Sequence, residues 1–357
     1  MKRSLYVLCV LSLCFVAMPL LAQSVPEIPY DSVPNLLKMP DDIYLGEVLG
    51  VSTNSKGHLF VFTRTGSVNV TTGTNRVFVR SGSRLFEFDQ NGKYLREIGQ
   101  NLYAFIEAHN VKVDPQDNIW AVDEGSSMIV KFDPEGRVIM TMGRKPEAVD
   151  NPARQEPPLA AGSGAGVPGD NFNGPSDVAW DATGDIFVAD GSRNSRVAKF
   201  DKNGAFIKSW GTRGTAPGQF NAPHSIVVDS KDNIYVADRG NKRIQVFDTD
   251  GNFKTQYTNV GSPWELCITS GAHQYIYSSD SNNTDFGPAT IYKMELDGTV
   301  LGKFGEGGKQ LKQFGTIHQM DCRKDNELYV GEITNWRVQK LILKPEKVES
   351  SRASAAK

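Results

Sequence analysis

The sequence predicts an all-β fold, a six-bladed β-propeller of four-stranded antiparallel blades closed by an N-terminal strand. Three observations carry this. A pattern of roughly 40 residues recurs along the chain, most clearly at 172–211 and 220–257. Each copy holds short alternating apolar runs cut by Asp-, Asn- and Gly-containing turns, the mark of hairpin-linked antiparallel strands. Six copies of a four-stranded unit close into a propeller, whereas a horseshoe or β-helix needs shorter repeats and parallel pairing.

Taken in order, Lys2 and Arg3 precede an apolar stretch (Leu5–Ala17), and Leu20-Leu21-Ala22 precedes Gln23. Residues 1–22 therefore read as a signal peptide, with an apolar run too short for a membrane span. Residues 23–47 form an N-terminal segment, within which about 33–46 is expected to supply the ring-closing strand. The propeller occupies 48–344, with copies at 48–99, 106–144, 172–211, 220–257, 262–305 and 314–343. The first carries an insert at Gly66–Gly82 and the fifth one at Ser281–Pro288. The sixth stops after its third run, which is why a strand from elsewhere is required. Residues 145–170, rich in Pro, Gly and Ala, read as a surface loop, and 345–357 as a disordered tail.

A formal net charge of −2 and a pI near 6.2 give no basic stripe, which excludes nucleic acid as a partner. With the leader removed, the chain is expected to be an exported monomer, periplasmic or extracellular, free of the membrane. Cleavage leaves Cys267 and Cys322. They fall one register apart in the first strands of adjacent copies, so their side chains are expected on opposite sheet faces and unbridged.

Three histidines hold one position of the repeat in alternate copies. His109 opens His-Asn-Val-Lys-Val-Asp, His224 opens His-Ser-Ile-Val-Val-Asp and His318 opens His-Gln-Met-Asp-Cys-Arg. The intervening copies place Leu49, Ser176 and Trp264 there. In a six-fold ring the three imidazoles converge on the channel axis. Neutral imidazoles suit Zn²⁺ at about 2.0–2.1 Å, and three protein ligands with an open fourth place is the catalytic pattern. His58 and His273 fall in turns after first strands, away from this ring.

After the second strand the copies place Arg64, Glu124, Gly191, Arg239, Asp280 (or a neighbour) and Glu332. Arg64 and Arg239 thus share a ring at one mouth of the channel. Two readings stay open: each arginine pairs with Glu124 or Glu332, or the pair grips a substrate carboxylate with bidentate forks.

The stretch Val-Ala-Asp-Arg-Gly-Asn-Lys-Arg-Ile-Gln-Val-Phe (236–247) resembles an NHL repeat. Phe-Asn-Gly-Pro-Ser-Asp-Val-Ala (172–179), Asp-Gly-x-x-Asn-Ser-Arg (190–196) and Pro-Gly-Gln-Phe-Asn-Ala-Pro-His-Ser (217–225) resemble the peptidyl-α-hydroxyglycine α-amidating lyase family. The resemblance spans about 45–343 and implies a six-bladed propeller whose channel zinc is held by His109, His224 and His318. It implies cleavage of an α-hydroxyglycine at its C–N bond, giving an amide and glyoxylate, with Arg64 and Arg239 as active-site arginines. It also implies a structural calcium on the carbonyls of Val51 and Val111 and on an acidic side chain at position 319.

The chain departs from the family at instructive places. The family's catalytic tyrosine, its general base, is Ser192 here, and a family disulfide cysteine is Arg193. A serine hydroxyl cannot serve as the base a metal-adjacent phenolate provides. Gln319 replaces the acidic calcium ligand, which predicts weak or absent calcium binding. Thr316-Ile317 stands where the family has Met-Pro, and the oxygenase domain that makes the lyase's substrate is not in this chain.

The expected function is a zinc-dependent lyase or hydrolase acting on a small carboxylate-bearing or N-acyl-α-hydroxyglycine-like, peptide-derived substrate. Its base would be a metal-held hydroxide or a carboxylate such as Glu124 or Glu332. The alternative is a non-catalytic NHL-repeat binding propeller with a structural or vestigial metal. A calcium-dependent lactonase-type propeller fits less well, because this channel offers imidazoles rather than carboxylates and amides.

Overall fold

The computed structural model describes residues 25–65, 69–72, 76–79, 82–144, 170–281, 289–324 and 326–344. The leader 1–22, all but the last residue of the loop 145–170, and the tail 345–357 lie outside them.

Strand β1 (Tyr30–Val33) comes first. Blade 1 holds β2 (Glu47–Thr53), β3 (Leu59–Arg64), a two-stranded hairpin of β4 (Asn69–Thr72) and β5 (Arg76–Val79), then β6 (Ser83–Phe88) and β7 (Tyr94–Ile98). Blade 2 is β8 (Ala108–Val113), β9 (Ile119–Asp123), β10 (Met128–Phe132) and β11 (Val138–Gly143). Blade 3 is β12 (Pro175–Trp180), β13 (Ile186–Asp190), β14 (Arg196–Phe200) and β15 (Phe206–Trp210). Blade 4 is β16 (Pro223–Val228), β17 (Ile234–Asp238), β18 (Arg243–Phe247) and β19 (Phe253–Tyr257), with a 3-10 turn at Arg239–Asn241. Blade 5 is β20 (Pro263–Ile268), β21 (Tyr275–Asp280), β22 (Thr290–Glu295) and β23 (Val300–Phe304). A short parallel pair, β24 (Glu306–Gly307) and β25 (Gln313–Phe314), leads into blade 6: β26 (Ile317–Asp321), β27 (Glu327–Glu332) and β28 (Arg337–Leu343). No helix among the described residues is long and apolar enough to cross a membrane.

The turn chemistry explains why each copy folds as a meander. Asp201 accepts the N–H groups of Asn203 and Ala205, and Asp248 those of Asp250 and Asn252, at 2.8–2.9 Å. These Asx turns reverse the chain between third and fourth strands. The residue three places on must adopt a left-handed backbone, and it is Gly204 (φ 84°) or Gly251 (φ 80°).

Closure is as expected in kind but not in place. Tyr30 pairs opposite Leu343, so β1 is the fourth strand of blade 6. It overlaps the expected stretch 33–46 only at Val33. Pro34 follows Val33 and has no N–H to extend the ladder, so pairing stops there. The stretch serves instead as packing, since Leu36, Leu37, Met39, Ile43 and Leu45 lie against the core between blades 6 and 1.

Among the described residues there are six such cores, each between two neighbouring blades. Large side chains such as Phe62, Phe132, Phe200 and Phe247 are fully buried in them, each stabilising by about 1.5–3 kcal/mol. First strands are buried along nearly their whole length, while outer strands such as β19 face solvent. This arrangement leaves the first strands as the rigid lining of a central channel.

One expectation is overturned. Cys267 and Cys322 form a disulfide, with Cα atoms 6.0 Å apart. Their one-register offset was read as separating them, on the rule that governs two strands of one sheet. They belong to different sheets, and the facing sides of adjacent blades are opposite faces of those two sheets. The offset therefore brings the thiols together, in the core between blades 5 and 6.

Candidate metal centre

The first strand of each blade carries a β-bulge near its start. In β8 the register slips between Ala108 and Asn110, in β16 between Pro223 and Ser225, and in β26 between Ile317 and Gln319. The unpaired extra residue is a histidine each time. A bulge turns one side chain out of the pleat's alternation, and here it turns three imidazoles to one point. In β2 and β12 the same bulge falls on Leu49 and Ser176, and in β20 it takes in both Trp264 and Glu265.

His109, His224 and His318 are all buried, with ring centroids 4.7–5.0 Å apart. One nitrogen from each lies within 4.8 Å of the others. The Nδ1 atoms contact backbone carbonyls at 2.7–2.8 Å: His109 to Ser176, His224 to Trp264 and His318 to Leu49. Those three carbonyls belong to the bulge residues of the intervening blades. A carbonyl can only accept, so each Nδ1 carries the proton and each Nε2 presents a lone pair.

Burial holds the His109 ring down to about 4, opposed by its bond to Ser176. His224 and His318 are held well below the usual value, again chiefly by burial and then by neighbouring positive groups. All three are neutral near pH 7, the state in which imidazole binds a metal. The donor set and its carbonyl support fit a metal ion.

Around this point the predicted residues separate. The Arg239 guanidinium lies 4.3 Å from the centroid of the Trp264 ring, which is itself 5.0 Å from His224. Burial depresses the Arg239 pKa, and Glu124 opposes the shift. Among the described residues no carboxylate is within ion-pair distance of it. Arg64 differs, with its Nε 2.6 Å from Glu47 and an Nη 3.0 Å from Glu107. The partners foreseen for it, Glu124 and Glu332, are not the ones it takes.

Glu124 stands beside the imidazoles, with Oε2 3.7 Å from His109 Nε2 and Oε1 3.8 Å from Arg193. Glu332 does not belong here. Strand pairing aligns it with Asp123, Asp190 and Asp238, one residue before the mouth position, which in blade 6 is Ile333. Its buried carboxylate accepts from Arg337 at 2.5 Å and from the Gly315 N–H at 2.7 Å, so it is structural.

Ser192 lies half-buried on the loop after β13, its N–H donating to the Gly174 carbonyl at 3.0 Å. Gly191 presses that loop on the strand of His224, since a Cβ there would sit 1.7 Å from the Pro223 oxygen.

The calcium ligand set does not fit. Gln319 Oε1 accepts the Val51 N–H at 2.6 Å, and its Nε2 donates to the Val111 carbonyl at 2.8 Å. The side chain at position 319 thus presents an N–H, not a ligand oxygen, to the Val111 carbonyl.

A family model described as a 6-bladed beta-propeller matches residues 171–314. A protein of Caenorhabditis elegans named probable peptidyl-alpha-hydroxyglycine alpha-amidating lyase is 30% identical over 320 residues, covering 84% of this chain and 83% of its own. The chain belongs to the peptidyl-α-hydroxyglycine α-amidating lyase family of NHL-repeat propellers. Peptidyl-alpha-hydroxyglycine alpha-amidating lyase 1 of Drosophila melanogaster is 28% identical over 352 residues, 88% of this chain and 61% of the fly protein. NHL repeat-containing protein 3 of Homo sapiens is 27% identical, over 72% of each chain. The chain spans 31% of a Xenopus laevis amidating monooxygenase that it also matches.

The bulges, the carbonyl supports and the Glu124–Arg193 approach are absent from the sequence reading. The only written signal for the supports is that Leu49, Ser176 and Trp264 alternate with the histidines.

Proposed function

We propose that this protein is an exported, zinc-dependent C–N lyase acting on N-acyl-α-hydroxyglycine-like substrates, with a carboxylate in place of the family's tyrosine base. The observation that carries it is the trio of buried neutral imidazoles, each held through Nδ1 by a carbonyl of the next blade. His109, His224 and His318 would hold the zinc and leave a coordination place open to the substrate. When bound, zinc polarises the substrate's hydroxyl and makes its proton easier to remove.

The chain's own groups supply the rest. Arg239, stacked on Trp264 and unpaired with any described carboxylate, receives the substrate carboxylate on its fork. Arg64, held between Glu47 and Glu107, has its guanidinium engaged and offers no free fork. Glu124 takes the hydroxyl proton as the O–H pair becomes the C=O of glyoxylate. The C–N bond breaks, and the amide nitrogen recovers a proton. Arg193 approaches Glu124 to 3.8 Å from the loop after β13. The disulfide accords with export to an oxidising compartment.

The assay is glyoxylate release from N-benzoyl-α-hydroxyglycine by the zinc-loaded protein. Release should fall about 10²–10⁴-fold in Glu124→Gln, with zinc content unchanged. No release from the zinc-loaded wild type would remove the lyase reading. It would favour the second one, a non-catalytic propeller, which the serine at position 192 and the NHL repeat-containing relative support.

A further inference from the structure

The first strands run from the metal centre toward the opposite mouth of the propeller, and a barrier of hydrogen bonds crosses the channel on the way. Asp177 accepts from Asn110 Nδ2 (2.9 Å), Lys112 Nζ (2.6 Å), Ser225 Oγ (2.9 Å) and the Ile226 N–H (2.8 Å), which ties blades 2, 3 and 4 together. Gln319 ties blade 6 to blades 1 and 2 through Val51 and Val111. Lys112 also donates to the Ile226 carbonyl at 3.0 Å, so its charge is neutralised within the barrier.

On the far side of the barrier all six blades line a cavity of about 430 Å³, and every lining residue lies beyond the bulge of its own blade. Its walls include Val113, Val178, Trp180, Val228, Ile268 and Met320. Trp180, Val228 and Ile268 are only half-buried, so apolar surface faces the space. A concave, mostly apolar wall of this size with a few polar groups is the usual form of a small-ligand site. Three charged residues share that wall: Lys112, Asp321 and Arg323. Lys112 is neutralised by Asp177. Asp321 is satisfied too, accepting from Ser52 Oγ (3.2 Å), the Thr53 N–H (2.8 Å), Thr53 Oγ1 (3.0 Å) and the Arg323 N–H (3.1 Å). Arg323 is different. It stands just past β26, and its side chain reaches beyond blade 1 to donate through one Nη to the Val113 carbonyl of blade 2 at 2.6 Å. No carboxylate among the described residues is within ion-pair distance of it. Asp117, which feels its charge, is taken by the N–H (2.9 Å) and the hydroxyl (2.5 Å) of Ser55. One uncompensated guanidinium is thus laid across the mouth of an apolar chamber.

We propose that this cavity binds a small amphipathic carboxylate, at a second ligand site on the face opposite the metal centre. The carboxylate seats on the Arg323 fork, and an apolar chain or ring lies inward against Trp180, Ile268 and Met320. The charge on Arg323 should favour the carboxylate about tenfold or more over a neutral ligand of the same shape. The barrier holds the ligand away from the imidazoles, so the site does not rest on the lyase reading.

The test titrates the full-length mature protein, with its zinc, with sodium octanoate, followed by calorimetry and thermal melting. One equivalent is expected to bind, raising Tm by about 2 °C at about 10 mM octanoate. Octan-1-ol, neutral and of equal chain length, should bind about tenfold more weakly. Arg323→Gln keeps an amide donor for the Val113 carbonyl and should lose the preference for octanoate over octanol. His224→Ala, which disrupts the metal centre, should bind octanoate as the wild type does. Each of four results overturns the proposal: a wild type indifferent to octanoate, octanol bound as tightly as octanoate, an Arg323→Gln protein with the wild-type preference, or binding lost in folded His224→Ala. The last would place the anion at the metal centre. The two wild-type titrations decide the matter even if a variant does not fold.

Discussion

Reducing the Cys267–Cys322 bridge is the perturbation whose size follows most directly from the structure. The bridge joins residues 55 apart in sequence, linking the first strand of blade 5 to the residue directly after the first strand of blade 6. Opening a loop of that length restores unfolded-chain entropy worth about 4 kcal/mol at 25 °C. The folded state has little reason to move. Cys322 sits in a core with Met320, Val330 and Leu341, and β26 stays paired along β27. The bridge nevertheless lies close to the metal centre in sequence, four residues after His318 and three after the Trp264 carbonyl that holds His224. Guanidinium unfolding of the oxidised protein against the reduced and alkylated one should show a loss of about 4 kcal/mol. Metal content at 25 °C should be equal in the two. A difference below about 1 kcal/mol would refute the loop-entropy reasoning. Loss of the metal on reduction would show that the bridge acts on the folded site instead.

Three further substitutions probe the channel. Arg239→Lys keeps the charge but loses the fork, so kcat/KM for a carboxylate-bearing substrate should fall about 10–100-fold, mostly through KM. Arg64→Lys should cost less, and the reverse order in steady-state kinetics would contradict the assignment of Arg239 as the carboxylate fork. Gln319→Ala removes the amide that joins β2, β8 and β26, and should destabilise by about 2–3 kcal/mol in denaturant titration. That deficit should be the same with and without calcium, and its selective repair by calcium would show that the family's ligand set survives here.

Much of the fold was legible because its local rules are written residue by residue. The Asp-x-x-Gly turns and alternating runs specify hairpins, and the repeat count specifies the ring. The closing strand was placed too late because a single four-residue strand carries no periodic signal. Its end is set by Pro34, and its anchor is the contact of Tyr30 with Phe304, 5.0 Å between rings. The three histidines could be found because alternate copies share one register position. What puts them on the axis could not, since a bulge is a relation between two strands and leaves no mark in one. Glu332 was misassigned for the same reason, as a register one residue off moves a side chain from the channel mouth to a buried pair with Arg337. The disulfide was misjudged by applying the rule for one sheet across two.

The central claim is that three buried imidazoles hold zinc, and metal analysis of the purified mature protein tests it most directly. About one equivalent of zinc in the wild type, falling below a tenth of an equivalent in folded His224→Ala, is the predicted result. Less than a tenth of an equivalent in both proteins after expression with zinc supplied would contradict the account.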